Sequence, residues 1–232
     1  MYLYETHVHS RECSACAESS ARELVRAYKQ AGYTGFVLTN HFVTGSTSVP
    51  SRLGWTQRMQ KYYDAYLEAK DEGDKLDFDV LFGLEHQYGN WKEVLIYGID
   101  LDFLQSHPEL NTTNLDLYAK LVHEAGGLIV HAHPHRKRYY IREDVKPRYD
   151  VCDGIEVYNG GDDRFVNEKA YRDAVALNKL MTSGGDVHYV GDAAIGQAGV
   201  LFKNRMKTIE EFVTALRSRE GHVVIDGQKK VH

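Results

Sequence analysis

Short apolar runs of four to seven residues recur along this chain, separated by amphipathic stretches, and that alternation limits the folds open to it. Strand-length runs alternating with helix-length ones build a parallel sheet with right-handed crossovers. The runs read as strands are Tyr2–Val8, Gly35–Thr39, Phe78–Leu84, Leu128–His131, Gly154–Val157, Lys179–Thr182, Ala198–Phe202 and His222–Ile225. Lys92–Gly98 reads as an extra strand or hairpin arm. Helices are expected over Ser19–Ala31, stopped by Gly32, and over Thr56–Glu72, ended by Gly73. Further helices are expected over Asn114–Ala125, Asp163–Leu177 and Ile209–Arg219. About seven strand–helix units favour a closed or nearly closed barrel, with an open doubly wound sheet as the competitor.

At 232 residues the chain suits one α/β domain spanning 1–232, without internal repeat or low-complexity linker. Its net charge of −5 disfavours a generic nucleic-acid binder or an anionic-membrane binder. No apolar stretch is long enough to span a bilayer, and Met1–Ser10 lacks the pattern of a signal peptide. With three cysteines there is no disulfide framework, so a cytoplasmic location is expected.

The strand ends are chemically uniform. The first strand closes on His7-Val8-His9, the second on Asn40-His41, the third on Glu85-His86. Later ones close on His131-Ala132-His133-Pro134-His135 and on Gly185-Asp186-Val187-His188. In an α/β barrel the carboxyl ends of the strands form the active-site face, so ligands scattered in sequence converge in space. Residues i and i+2 of an extended segment share a face, which lets His7 and His9 enter one site, and likewise Asp186 and His188. Imidazole with carboxylate suits zinc, manganese or iron rather than calcium, and Glu85 has two oxygens with which to bridge two ions. Any one of these motifs is an ordinary turn or cap; five at matched strand ends are a metal site.

These segments, with Gly154-Ile155-Glu156-Val157-Tyr158-Asn159-Gly160 and Ala132-His133-Pro134-His135-Arg136, resemble the polymerase and histidinol phosphatase (PHP) superfamily of metal-dependent phosphoesterases. The resemblance implies a distorted seven-stranded (β/α) barrel. It implies two or three divalent transition-metal ions (manganese, zinc or iron) held by His7, His9, His41, Glu85, His133, Asp186 and His188. Many relatives carry Asp where this chain has Asn40, and an Asp or His shortly after His-x-His that helps hold a third ion. Glu12 is the expected substitute for the latter. Cys13 and Cys16 form an isolated Cys-x-x-Cys, read as buried or metal-adjacent thiols rather than a redox pair, and His131 is read as support or core.

Arg136-Lys137-Arg138 is a basic patch on an acidic chain and points to an anionic substrate. The expected activity is hydrolysis of a small phosphomonoester or nucleotide-like phosphoester by a metal-activated hydroxide. Glu85 and Arg136 are expected in catalytic roles, with His135 or His131 as proton donor. The alternatives are a metal-dependent amidohydrolase, disfavoured by the lack of a lysine at any strand end, and a non-catalytic metal-stabilised binding module. The numerous tyrosines, Tyr139 and Tyr140 among them, are read as packing.

Overall fold

Side chains of both faces of the sheet are apolar along most strands, and this dictates a sheet covered on each side. A computed structural model describes residues 1–142 and 144–230; Glu143, Val231 and His232 of the expected 1–232 span lie outside the described residues. The chain runs β1 (Tyr2–Val8), α1 (Ala21–Gln30), β2 (Gly35–Leu38), α2 (Trp55–Leu76), β3 (Asp79–Gly89), β4 (Lys92–Tyr97), α3 (Leu101–Ser106) and α4 (Leu115–Glu124). It continues through β5 (Leu128–His131), β6 (Gly154–Asn159), α5 (Arg164–Ala176), β7 (Leu180–Gly184), β8 (Gly199–Phe202), α6 (Ile209–Arg217), β9 (His222–Ile225) and β10 (Gln228–Lys229).

All ten strands belong to one sheet, ordered β10-β9-β8-β1-β2-β3-β4-β5-β6-β7. The sheet curls: past β7, Val187 pairs in parallel with Val8, and the Asp186 and His9 amides donate to His7 and Val187 carbonyls at 2.9 Å each. The flank that ends in β7 therefore returns to the carboxyl end of β1, which sets the described fold apart from an open doubly wound sheet.

Among the described residues the strict alternation of strand and helix is interrupted after β3, β5, β7 and β9. β3 runs on into β4 as an antiparallel hairpin, and β4 then pairs antiparallel with β5, so Lys92–Tyr97 is a full member of the sheet. Between β5 and β6 the residues form turns and loop rather than a helix. The expected seven-unit barrel is thus a mixed sheet in which β1–β2–β3 and β5–β6–β7 are parallel blocks flanking one reversed strand.

Helix α2 also departs from expectation by running through Gly73 to Leu76 and stopping at left-handed Asp77. Gly73 is needed for close approach instead: a Cβ there would lie 2.5 Å from the Phe78 carbonyl oxygen. One core cluster joins the outer face of the sheet to the helices through Leu24, Tyr28, Met59, Tyr62, Phe82 and Val122. A second joins Tyr4, Val37, Leu81, Leu95, Tyr97 and Val130 to Phe212 and Leu216 of α6.

Candidate metal centre

Strand periodicity decides which polar residues enter the site. On β4, Leu95 and Tyr97 belong to the inner cluster and Val94 and Ile96 to the outer, so Glu93 faces inward. On β3 the inner residue is Leu81 and the outer ones are Phe82 and Leu84, which turns Glu85 inward and His86 outward. On β2, Val37 is inner, and two steps further in each case lie Thr39 and His41. β1 needs a correction to its period. Tyr4 is in the inner cluster but Val8 in the outer, although four residues apart they would share a face in a regular strand. The register shift against β2 between Glu5 and Val8 inserts one extra residue and reverses the phase, which turns His7 and His9 inward.

The inward groups meet around Glu85. Its Oε1 lies 3.1 Å from His7 Nε2 and 3.0 Å from His133 Nε2, and its Oε2 lies 2.7 Å from His41 Nδ1 and 3.6 Å from His9 Nε2. Asp186 Oδ1 is 3.4 Å from His7 Nε2, 3.2 Å from His9 Nε2 and 3.7 Å from His188 Nδ1. Glu93 adds an oxygen 3.4 Å from His133 Nε2 and another 3.8 Å from His41 Nδ1. Four overlapping triads can each hold a cation: His9, His41 and His188; His7, His9 and Glu85; His7, His133 and Asp186; and His41, Glu85 and Glu93. His133 and Asp186 adopt left-handed backbone at φ 27° and 55°, a conformation uncommon outside glycine and found where strands hand over to functional loops.

An outer layer of hydrogen bonds orients these rings. His7 Nδ1 is 2.9 Å from Glu156 Oε1, and the other Glu156 oxygen accepts from the His133 amide and from Asn159 Nδ2, each at 2.9 Å. His9 Nδ1 meets Ser14 Oγ at 3.2 Å, and Ser14 Oγ donates to Asn40 Oδ1 at 3.0 Å. Asn40 is thus a neutral hub that also accepts from the Ser10 amide at 2.6 Å. His7 Nε2 faces the carboxylate oxygens of Glu85 and Asp186, and despite burial Asp186, Glu156 and Glu85 hold the ring well above the usual imidazole value; a cation bound there would take the place of the proton on Nε2. The burden of unmet polarity falls in the same place: His7 Nε2, His9 Nε2, His41 Nδ1 and Glu85 Oε2 are buried without a hydrogen-bond partner. A metal ion fits these donors.

Charge follows the same logic. Burial alone would raise Glu85, but His7, His41 and His133 hold it well below the carboxylate range. Asp186, likewise buried, is held low by His7 and Arg136. Burial, with His41 and His188 alongside, keeps His9 well below the usual imidazole value. Glu93 is pushed up to about 7 by burial and by the charge of Glu85.

Of the residues expected from sequence, the structure brings together His7, His9, His41, Glu85, His133, Asp186 and His188, but not Glu12 or His135. Both Glu12 oxygens accept from the Ala21 amide, at 3.1 and 3.3 Å, at the start of α1. There the carboxylate serves a helix N-terminus, where free amides and the macrodipole favour a negative charge. His135 Nε2 lies 2.6 Å from Asp173 and 3.2 Å from the Tyr149 hydroxyl, and its ring lines a neighbouring cavity with Lys137, Val145 and Lys169. His131 packs outward against Tyr88 and Tyr149, and burial pulls its imidazole down to about 3. Arg136 does reach the site, but its guanidinium is engaged: 2.7 Å to Asp186, 2.9 Å to Asp162 and 2.8 Å to Asn159.

One residue of the site, Glu93, escapes the sequence reading, and Cys16 is legible there only as a buried or metal-adjacent thiol. Glu93 is the one acid in an apolar strand, and its inward parity is the signal that could have found it. Cys16, an exposed thiol, lines the same cavity; desolvation pushes it up, but the imidazoles of His188 and His41 outweigh this and bring it down to about 6. The cavity above the cluster measures about 380 Å³ and is lined by Cys16, His41, Glu85, Glu93, Arg136 and Arg138, among others.

A curled α/β sheet whose carboxyl-end loops gather imidazoles and carboxylates into one buried cluster defines a class of α/β protein equipped to bind metal. The chain belongs to the PHP domain family, whose model matches residues 5–219. No curated protein matches it at a significant level. Among solved structures, it superimposes on a two-domain Bacteroides vulgatus protein containing a predicted PHP-like metal-dependent phosphoesterase, with TM-score 0.71 and 13% identity over 98% of this chain. The match covers 66% of that protein, so the chain spans just under two thirds of its length. PsfC from Pseudomonas syringae gives TM-score 0.66 at 16% identity, covering 98% of this chain and 92% of that one. An amidohydrolase from Chromobacterium violaceum with bound sulfate gives 0.58 at 15% identity, covering 92% and 96%. At these identities the likeness is one of fold. Among the described residues no helix is long and apolar enough to cross a membrane.

Proposed function

We propose that the protein is a metal-dependent phosphoesterase acting on a small phosphomonoester or a nucleotide-like phosphoester. One observation carries the reading: the four unpartnered buried atoms of His7, His9, His41 and Glu85 converge beneath a cavity that also presents Arg136 and Arg138. Divalent ions bound there would acidify water and neutralise charge developing on a phosphoryl group. The residues themselves do the rest. Glu85 would hold one cation with His7 and His9 and an adjoining one with His41 and Glu93, while Asp186 and His133 would serve a position shared with His7. Glu156 fixes the ring of His7 and the backbone of His133 at once. Arg136 holds Asp186 in place and contributes positive charge to the cavity wall, where Arg138, less buried, is available to an incoming phosphate oxygen.

For a third ion we propose Cys16 beside His41 and His188 as the thiolate ligand in place of Glu12; supporting this are its place with both imidazoles in one cavity wall and the depressed thiol. The amidohydrolase alternative lacks a lysine in the ligand set, and the guanidinium groups of Arg136 and Arg138 in the cavity wall suit a phosphate better. Catalysis by a single domain in the cytoplasm is part of the same proposal.

Metal analysis of protein purified without chelator, paired with turnover of an aryl phosphomonoester and an aryl phosphodiester, tests it. Two to three equivalents of transition metal are expected, with turnover lost on chelation and restored by manganese or zinc. One equivalent or fewer after reconstitution, with neither ester hydrolysed, overturns it. Loading with cobalt(II) checks Cys16 separately: a thiolate-to-cobalt absorption in the near ultraviolet is expected and is absent from Cys16→Ser.

A further inference from the structure

The β3–β4 hairpin pairs Gly89 with Lys92, leaving Asn90 and Trp91 as a two-residue loop. Both are left-handed, at φ 51° and 57°. That is the I′ geometry, in which asparagine then glycine is the favoured pair. Asn90 fits; tryptophan at the glycine position does not, because a bulky side chain with positive φ is a steric outlier. The burial that would offset the cost is also missing, since Trp91 is 48% exposed. A strained, half-exposed aromatic that folding does not require points to a role in binding.

Its surroundings name the role. The Trp91 ring meets Tyr140 edge to face, with centroids 5.1 Å apart, and Tyr140 is itself 44% exposed. Trp91, Tyr140 and Ile141 line the same cavity as Glu85, His133, Asp186 and Arg136. The cavity therefore combines a polar region suited to cations and a phosphate with an apolar, aromatic rim. At about 380 Å³ it falls in the size range of sites that enclose a small organic molecule, so it has room for more than a phosphate group.

We propose that Trp91 and Tyr140 form a subsite for a flat aromatic group carried by the substrate, which makes the preferred substrate class an aryl or heteroaryl phosphoester. The proposal rests on the phosphoesterase reading above. The rings offer stacking faces beside a charged floor, and stacking on one such ring is commonly worth tenfold or more in affinity.

The test uses the metal-loaded full chain and two substrates, phenyl phosphate and glycerol phosphate. The ratio of their kcat/KM values is measured for the parent, Trp91→Gly and Trp91→Phe. Glycine suits the I′ position, so the thermal midpoint of Trp91→Gly is expected to hold or rise. The preference for phenyl phosphate is expected to fall about tenfold in Trp91→Gly, mainly through KM, and to survive in Trp91→Phe. A preference unchanged within twofold overturns the subsite while leaving the phosphoesterase standing. If neither ester is hydrolysed, binding of phenyl phosphate against inorganic phosphate decides: a preference present in the parent and lost in Trp91→Gly upholds the subsite and sinks the hydrolase, and no preference in the parent sinks both. Should Trp91→Gly fail to fold, Tyr140→Ala is measured in the same way and read by the same outcomes.

Discussion

A single buried carboxylate, Glu85, has four imidazole nitrogens within 3.6 Å. Glu85→Gln keeps the shape but removes the charge that makes bridging possible. It is expected to lower bound metal by at least one equivalent and turnover by about a hundredfold or more, since even the partners of metal ligands are commonly worth 10–100-fold. Full metal content in this variant would mean that Glu85 does not bridge. Its neighbour His86 shows how far one step along a strand changes a residue. His86 stacks on Tyr118 with centroids 3.6 Å apart, and burial pulls its imidazole from an ordinary 6.5 down to about 3. Between those pH values the unfolded chain binds the extra proton, so this contribution to stability is complete above pH 6.5 and is lost as pH falls toward 3. In metal-free protein, His86→Phe should therefore show a shallower loss of unfolding midpoint between pH 6.5 and about 4 than the parent; parallel slopes would count against a buried neutral imidazole. The His-x-His and Asp-x-His spacings were legible because i,i+2 geometry belongs to any extended segment. His135 was not legible in the same way: it sits in a histidine cluster by sequence, and only the turn after His133 shows that its ring goes to Asp173. Glu93 lay hidden because one acid in Lys92–Tyr97 reads as the exposed side of a hairpin arm.

At the scale of elements, the site depends on places where regular structure gives way. The extra residue in β1 aims His7 and His9. β7 ends with Gly184, where a Cβ would lie 2.4 Å from His7 Cβ and 2.6 Å from Glu156 Oε1. Gly184→Ala should therefore displace the His7–Glu156 pair, costing about 1–3 kcal/mol of stability by overpacking and weakening metal binding in the same variant. Unchanged midpoint and unchanged metal affinity together would show that β7 yields without disturbing the pair. Strands and helices themselves were largely legible, because period and capping residues are local; Ser20 and Glu23 form the reciprocal cap that opens α1. Lys92–Gly98 was legible as an extra strand or hairpin arm, but the bulge in β1 and the pairing of β4 with β5 were not, because both are fixed by strands more distant in sequence. Gly73 misled for a related reason: its constraint is the approach of Phe78, which helix-stop rules do not contain.

For the molecule as a whole, the cluster ties together the carboxyl ends of β1, β2, β3, β5 and β7 and the start of β4, just where the sheet curls back on itself. Removing metal should loosen that closure. With ions held at a hundredfold above their dissociation constant, about 2.7 kcal/mol of linkage is lost on chelation. For a chain of this size that is a fall of about 5–10 °C in thermal midpoint, recovered on adding metal back. A midpoint indifferent to chelator would mean that the sheet closes without ions. The alternating architecture was readable from the chain because each unit is local; closure was expected from the number of units, but the contact that makes it, Val187 against Val8, spans most of the sequence and is not written in any local pattern.

That same reach bears on when the protein becomes able to take up metal. His7 and His9 leave the ribosome ahead of the other ligands, yet their partners Asp186 and His188 emerge after all the rest, with Glu85 and His133 between. A nascent chain that has not yet reached His188 lacks the triads that Asp186 and His188 complete, so full metal loading is expected only once the β7 flank has docked against β1.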